Sequence, residues 1–176
     1  MKLDILLLVA GSGRNSGKTT FVCKIIEQFH HLVITSIKIS PHFHNPSDGL
    51  IPITSKSGYA IYEETNSNTL KDSSKMLNNG AGKVYYIQTR MEYLNESLSD
   101  VYMKVEPDKP VIYESPGLIH YFKPGLFIIM TSLSGCDLKK IKNLKRFPHK
   151  EYILEEVLKI TTFPIDFAGS VWKSLK

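Results

Sequence analysis

The chain has 176 residues, 42% of them hydrophobic and 22% charged, with a formal net charge of +5 from 22 Lys and Arg against 17 Asp and Glu. Such a composition excludes disordered, collagen-like and coiled-coil chains, and no apolar run nears the roughly 18 residues a membrane span needs. The positive excess suits an anionic ligand but is too mild to mark a nucleic-acid-binding protein, and only Arg14, Arg90 and Arg146 supply bidentate forks among the lysines.

In chain order, Ile5 to Ala10 is a short, uninterrupted apolar run, the pattern of a strand buried on both faces of a parallel sheet. Asp4 before it and its shortness argue against a secretory signal. Gly11 to Gly17 is a glycine and serine loop, and from Lys18 the period changes: Phe21, Val22, Ile25, Ile26 and Phe29 recur at helical spacing. Leu32 to Ile39 predicts a second strand, completing a βαβ unit. Pro41 to Leu50 reads as a loop, and residues 51–69 as a hairpin or meander inserted in the frame. A helix is expected over Lys71 to Asn79, strands over Lys83 to Gln88, Val111 to Glu114 and Leu126 to Thr131, and a helix over Glu92 to Lys104. Two later helices are expected over Leu138 to Asn143 and Lys150 to Ile160. No internal repeat or linker divides the chain, so residues 1–176 are expected to form one domain. Cys23 and Cys136 make no disulfide framework and read as reduced thiols of a cytoplasmic protein.

The sharpest chemical signal is the stretch from Ser12 to Thr20. It joins an apolar strand to an amphipathic helix, the context a P-loop requires. Gly13 and Gly17 let the backbone curl around phosphate oxygens, with Arg14, Asn15, Ser16 and Thr20 completing the loop and first helical turn. The helix N-terminus adds partial positive charge. Lys18 is placed to reach the β- and γ-phosphates, and the Thr19 hydroxyl suits Mg²⁺. Ser12 stands where the G-x-x-x-x-G-K-[ST] pattern has its first Gly. The expected fold is therefore α/β: a three-layer P-loop NTPase architecture with a mostly parallel central sheet and helices on both faces, plus a small hairpin insertion.

Such a site needs an acid. Glu114 closes an apolar strand whose end should converge on the phosphate loop, which makes it the first candidate for Mg²⁺ or water. Asp48, in the loop after the second strand, is the other. His42 and His44 lack a third ligand for structural zinc and read as loop histidines near an anion. The Lys139 to Arg146 cluster, interleaved with Leu138, Ile141 and Leu144, reads as the solvated face of a helix.

Three stretches together resemble the molybdopterin-guanine dinucleotide biosynthesis protein B family, small P-loop proteins of the SIMIBI GTPase class. They are Ser16-Gly17-Lys18-Thr19-Thr20 after the first strand, Ile37-Lys38 followed by His42 and Asp48, and Lys71-Asp72-Ser73-x-Lys75 followed by Gly80-Ala81. Tyr113-Glu114 before Ser115-Pro116-Gly117 is similar to the V-E-G of that family. The likeness covers about residues 5 to 118. It implies Mg²⁺ and GTP binding, with ATP as the alternative, weak GTPase activity and a homodimer. It also implies a supporting role in attaching a nucleotide to molybdopterin beside a nucleotidyltransferase partner. No N-K-x-D specifies guanine; Thr131, Ser132 and Asp137 mark only where a base would lie. Two alternatives stay open, a small-molecule or nucleotide kinase and a nucleotide-dependent switch. The three scattered arginines argue against the kinase.

Overall fold

A computed structural model describes residues 2–13, 15–115, 117–133 and 138–175. Strand β1 (Lys2–Gly11) leads into helix α1 (Lys18–Gln28), and β2 (Thr35–Ser40) follows a short 3-10 turn. Next come β3 (Leu50–Lys56), β4 (Tyr59–Glu64), α2 (Asp72–Asn78), β5 (Lys83–Thr89), α3 (Leu94–Tyr102) and β6 (Val111–Glu114). The remainder is β7 (Lys123–Thr131), α4 (Leu138–Leu144), β8 (Lys150–Ile153), α5 (Leu154–Val157), β9 (Ile165–Ala168) and β10 (Val171–Ser174).

Eight strands form one sheet in the order β3-β4-β5-β2-β6-β1-β7-β8. From β5 to β8 every neighbouring pair is parallel, whereas β3 and β4 join antiparallel at the β5 edge. This is an α/β protein with a mostly parallel central sheet. The apolar run of β1 explains its central place. Leu6, Leu8 and Ala10 enter one buried cluster and Leu7 and Val9 the other, so both faces are covered. One face carries α1, α2, α5 and Trp172 of β10; the opposite face carries α3, α4 and the 3-10 turn Leu118–His120. The helical layers are thinner than expected: α2 and α4 have seven residues and α5 only four. Among the described residues no helix is long and apolar enough to cross a membrane.

Two expectations need correction, and one element was not foreseen. The helix predicted over Lys150 to Ile160 is instead strand β8, running parallel to β7 from Ile128↔Lys150 to Thr131↔Ile153, followed by one turn of helix. Sheet pairing and the Tyr152 ring, whose centroid lies 5.2 Å from that of Phe21, outweigh the local periodicity. The second strand starts at Thr35 rather than Leu32, because Val33 turns left-handed at φ 48° after the 3-10 turn His30–Leu32. The hairpin β9–β10 was not expected; it turns on Gly169 and Ser170, both at φ 60°. The predicted insertion is the β3–β4 hairpin, which joins the main sheet at the β5 edge.

The register aligns the carboxyl ends of the central strands. Val9 faces Glu114, and Glu114 in turn faces Lys38. Three strand ends and the loop after β1 therefore meet at one edge of the sheet.

Candidate functional site

The loop between β1 and α1 is shaped by backbone demands that few residues meet. A Cβ at Gly11 would lie 2.4 Å from Ser16 Oγ and 2.9 Å from the Met130 carbonyl, so only glycine fits there. Asn15 sits at φ 61° and Gly17 at φ 82°, left-handed positions that Asn tolerates and Gly adopts freely. A side chain at Gly17 would also strike Leu154 Cδ1 at 2.7 Å. Gly17 is the N-cap of α1 and makes no side-chain cap, and no acidic residue occupies the first turn. A helix leaves its first N–H groups without intrahelical partners; here that turn belongs to Lys18, Thr19 and Thr20, all facing a cleft. Lys18 folds back over the loop, its Nζ donating to the Gly13 carbonyl (2.6 Å) and to Ser16 Oγ (3.1 Å). Ser12 is buried, with its N–H donating to the Met130 carbonyl at 3.1 Å and its hydroxyl without a partner among the described residues.

Opposite the loop stands a chain of polar groups. Glu114, only 1% exposed, accepts a hydrogen bond on Oε2 from Thr19 Oγ1 at 2.9 Å and an ion pair on Oε1 from Lys38. Lys38 also pairs with Asp72 Oδ2 at 2.9 Å. A carboxylate this buried requires such partners. Burial by itself would pull the Lys38 ammonium below its ordinary pKa, but Glu114 and Asp72 more than offset that and hold it above. For Asp72, burial pushes upward, yet the charge and hydrogen bond of Lys38 keep the carboxyl below its ordinary range. Cys23, further along α1, is a free thiol raised to about 12 by burial, with Glu114 and Asp72 adding to the effect; it is neutral at physiological pH.

These groups enclose a cleft of about 710 Å³. Gly13, Asn15, Ser16 and Gly17 line one wall with the first turn of α1, and Lys38, Asp72, Lys75, His42 and Glu114 line the rest. Among the described residues, three ammonium groups thus face two carboxylates, leaving a positive excess. Of the residues singled out from sequence, the structure gathers Gly13, Asn15, Ser16, Gly17, Lys18, Thr19, Thr20 and Glu114 here; Arg14 and Asp137 lie outside the described residues. Asp48 does not line the cleft: it sits in the turn before β3, where the Leu50 N–H donates to the Ser47 carbonyl. Thr131 and Ser132 do not line it either. Lys38, Asp72 and Lys75 join the site although motif spacing alone did not select them. The signal was present in Ile37-Lys38 and in Lys71-Asp72-Ser73-x-Lys75. On α4, Ile141 and Leu144 are buried while Lys142, Lys145 and Arg146 are exposed, and Lys145 pairs with Glu151 at 2.9 Å. Among the described residues no group of three or more His, Cys, Asp or Glu is placed to hold a metal ion.

No protein-family model, no curated protein and no solved structure matches this chain.

Proposed function

We propose that the chain is a P-loop nucleoside triphosphate-binding protein with slow NTPase activity, GTP being its first candidate nucleotide and ATP the second. One observation carries the reading: an α1 N-terminus with no side-chain cap, reached through left-handed Asn15 and Gly17, with the Lys18 ammonium over the loop and Thr19 bonded to buried Glu114. An anion is the natural occupant of such a place, because backbone N–H groups, the helix dipole and an ammonium point at it together. Lys18 bonds to a loop carbonyl and a loop hydroxyl, partners a phosphate oxygen would replace.

The donor set fits Mg²⁺. Mg²⁺ takes oxygen ligands, and a hydroxyl and a carboxylate meet at the cleft wall. Thr19 Oγ1 and Glu114 Oε2 are 2.9 Å apart. Thr19 and Glu114 would hold the ion, with Asp72, rather than Asp48, as the second carboxylate on the cleft wall. Bound there, Mg²⁺ would neutralise charge on the phosphates. The chain's own contribution is positional and electrostatic: loop amides and Lys18 orient the triphosphate, and Glu114 retains acceptor capacity to orient an attacking water. No arginine lines the cleft among the described residues, so turnover by the protein alone should be slow.

The likeness to the molybdopterin-guanine dinucleotide biosynthesis family extends the proposal to a cytoplasmic homodimer that assists a nucleotidyltransferase acting on molybdopterin. Supporting it, two stretches that carry the likeness beyond the loop, around Lys38 and around Asp72, end at the same cleft. Titration calorimetry with GTP and ATP in Mg²⁺ buffer tests the central reading. Lys18→Ala should weaken binding by about 10- to 150-fold, the equivalent of about 1.5–3 kcal/mol for a charge-assisted contact. Unchanged affinity would remove the phosphate site from Lys18 and with it the proposed activity.

A further inference from the structure

The sheet register seats Lys38 of β2 beside Glu114 of β6, and α2 brings Asp72 to the same ammonium, with Oδ2 at 2.9 Å from Nζ. Lys38 therefore engages one oxygen of each carboxylate, Oε1 of Glu114 and Oδ2 of Asp72. The Lys38 side chain is 19% exposed and that of Glu114 1%, so the pair is shielded from water. Removing the cation from such a pair leaves a buried charge uncompensated, which is strongly unfavourable. The bridge is therefore a fixed part of the cleft wall.

Outside the bridge stand Glu114 Oε2 and Thr19 Oγ1, 2.9 Å apart. One carboxylate oxygen and one hydroxyl are too few to strip water from a free Mg²⁺ ion, which dehydrates reluctantly and wants a complete octahedron of oxygens. Phosphate oxygens that arrive with the ion supply the missing ligands. The surrounding charge acts in the same direction. Lys18 and Lys75 line the cleft together with Lys38, so a lone cation meets a positive wall and a polyanion carrying its cation does not. Without the Lys38 ammonium, Glu114 and Asp72 would be a neighbouring carboxylate pair, the donor type that hard divalent cations prefer.

We propose that Lys38 makes the site selective for a metal–nucleotide complex over the free metal ion, by holding the Glu114–Asp72 pair closed to a divalent cation that arrives alone. The inference rests on the nucleotide reading for the complex that enters, and Lys38 acts through the carboxylates it holds, as a positioning residue. Mn²⁺, which takes the same oxygen ligands and is visible by electron paramagnetic resonance, is titrated into the full chain without nucleotide. Lys38→Met should bind lone Mn²⁺ at least about 10-fold more tightly than the parent. Lys38→Arg keeps a cation between the carboxylates and should stay within about 3-fold of the parent. Adding Asp72→Asn to Lys38→Met should abolish the gain. Melting curves check that each variant is folded, and Lys38→Gln, a neutral side chain, replaces Lys38→Met if that variant is not. Calorimetry with a non-hydrolysable GTP analogue on the parent decides the nucleotide reading separately. Should the analogue fail to bind, that reading falls, while the gain in Lys38→Met still upholds the barrier to lone cations. A parent that binds lone Mn²⁺ as tightly as Lys38→Met, an equal gain in Lys38→Arg, or a gain that Asp72→Asn leaves intact overturns the proposal.

Discussion

Glu114 combines nearly complete burial with two ionic or polar partners on different elements, Thr19 from α1 and Lys38 from β2. Replacing it with Gln keeps the shape and an acceptor for Thr19 but removes the charge opposite Lys38 and the group assigned to water. In the proposed NTPase, Glu114→Gln should weaken nucleotide affinity in Mg²⁺, because a metal ligand loses its charge, and separately slow phosphate release at saturating nucleotide by about 100-fold or more, the low end of what a positioned base contributes. Single-turnover hydrolysis beside equilibrium binding checks the split, and a variant as fast as the parent would clear Glu114 of that role. Much of this site was legible one residue at a time, because glycine spacing, a lysine and a threonine at a strand-to-helix junction are local demands of the backbone. Lys38 and Asp72 were less so. Their roles arise from an ion pair between residues 34 positions apart in sequence, and nothing in the spacing of either reveals the other. Asp48 failed to reach the cleft for the complementary reason: a turn Asp has many local uses, and its loop is pinned through His44 to Gln88 instead.

At the scale of elements, the strands with pure apolar runs were the easiest to place. β1 and β6 are buried on both faces, and such a run has little other fate. β8 escaped because it is an edge strand with Lys150 and Glu151 exposed, and charged edges do not look like strands. The C-terminal hairpin escaped because its stability lies in tertiary contacts. Its route is fixed by Gln28 of α1, whose Nε2 donates to the Phe163 carbonyl at 3.1 Å while its Oε1 accepts the Phe163 N–H at 2.7 Å. In Gln28→Ala the Phe163 N–H, on a residue only 3% exposed, loses its partner. A loss of about 1–3 kcal/mol is expected, measured by urea unfolding, with nucleotide affinity unaltered.

For the whole molecule, the shifted groups define a pH window. Asp72 is held below its ordinary value of 3.8, so its contribution is complete above that value and fades as pH falls below it. Cys23 is raised from 9.0 to about 12, so its contribution is complete below pH 9 and is lost as pH climbs from 9 toward 12. Lys38, raised above 10.5, follows the same direction at higher pH. Stability should therefore be level between roughly pH 4 and pH 9 as far as these three groups are concerned. Cys23→Ala should flatten the first part of the alkaline decline and leave the acid side unchanged, as read from melting temperatures across the range. Trp172 sits apart from all of these groups. It is the single indole of the chain, fully enclosed in β10, with its ring edge-on to Phe29 at 5.2 Å and its Nε1 without a partner among the described residues. Intrinsic emission is thus an optical gauge of whether the carboxyl-terminal ribbon is seated on the sheet, a signal separate from whatever occupies the opposite rim, where the candidate cleft opens.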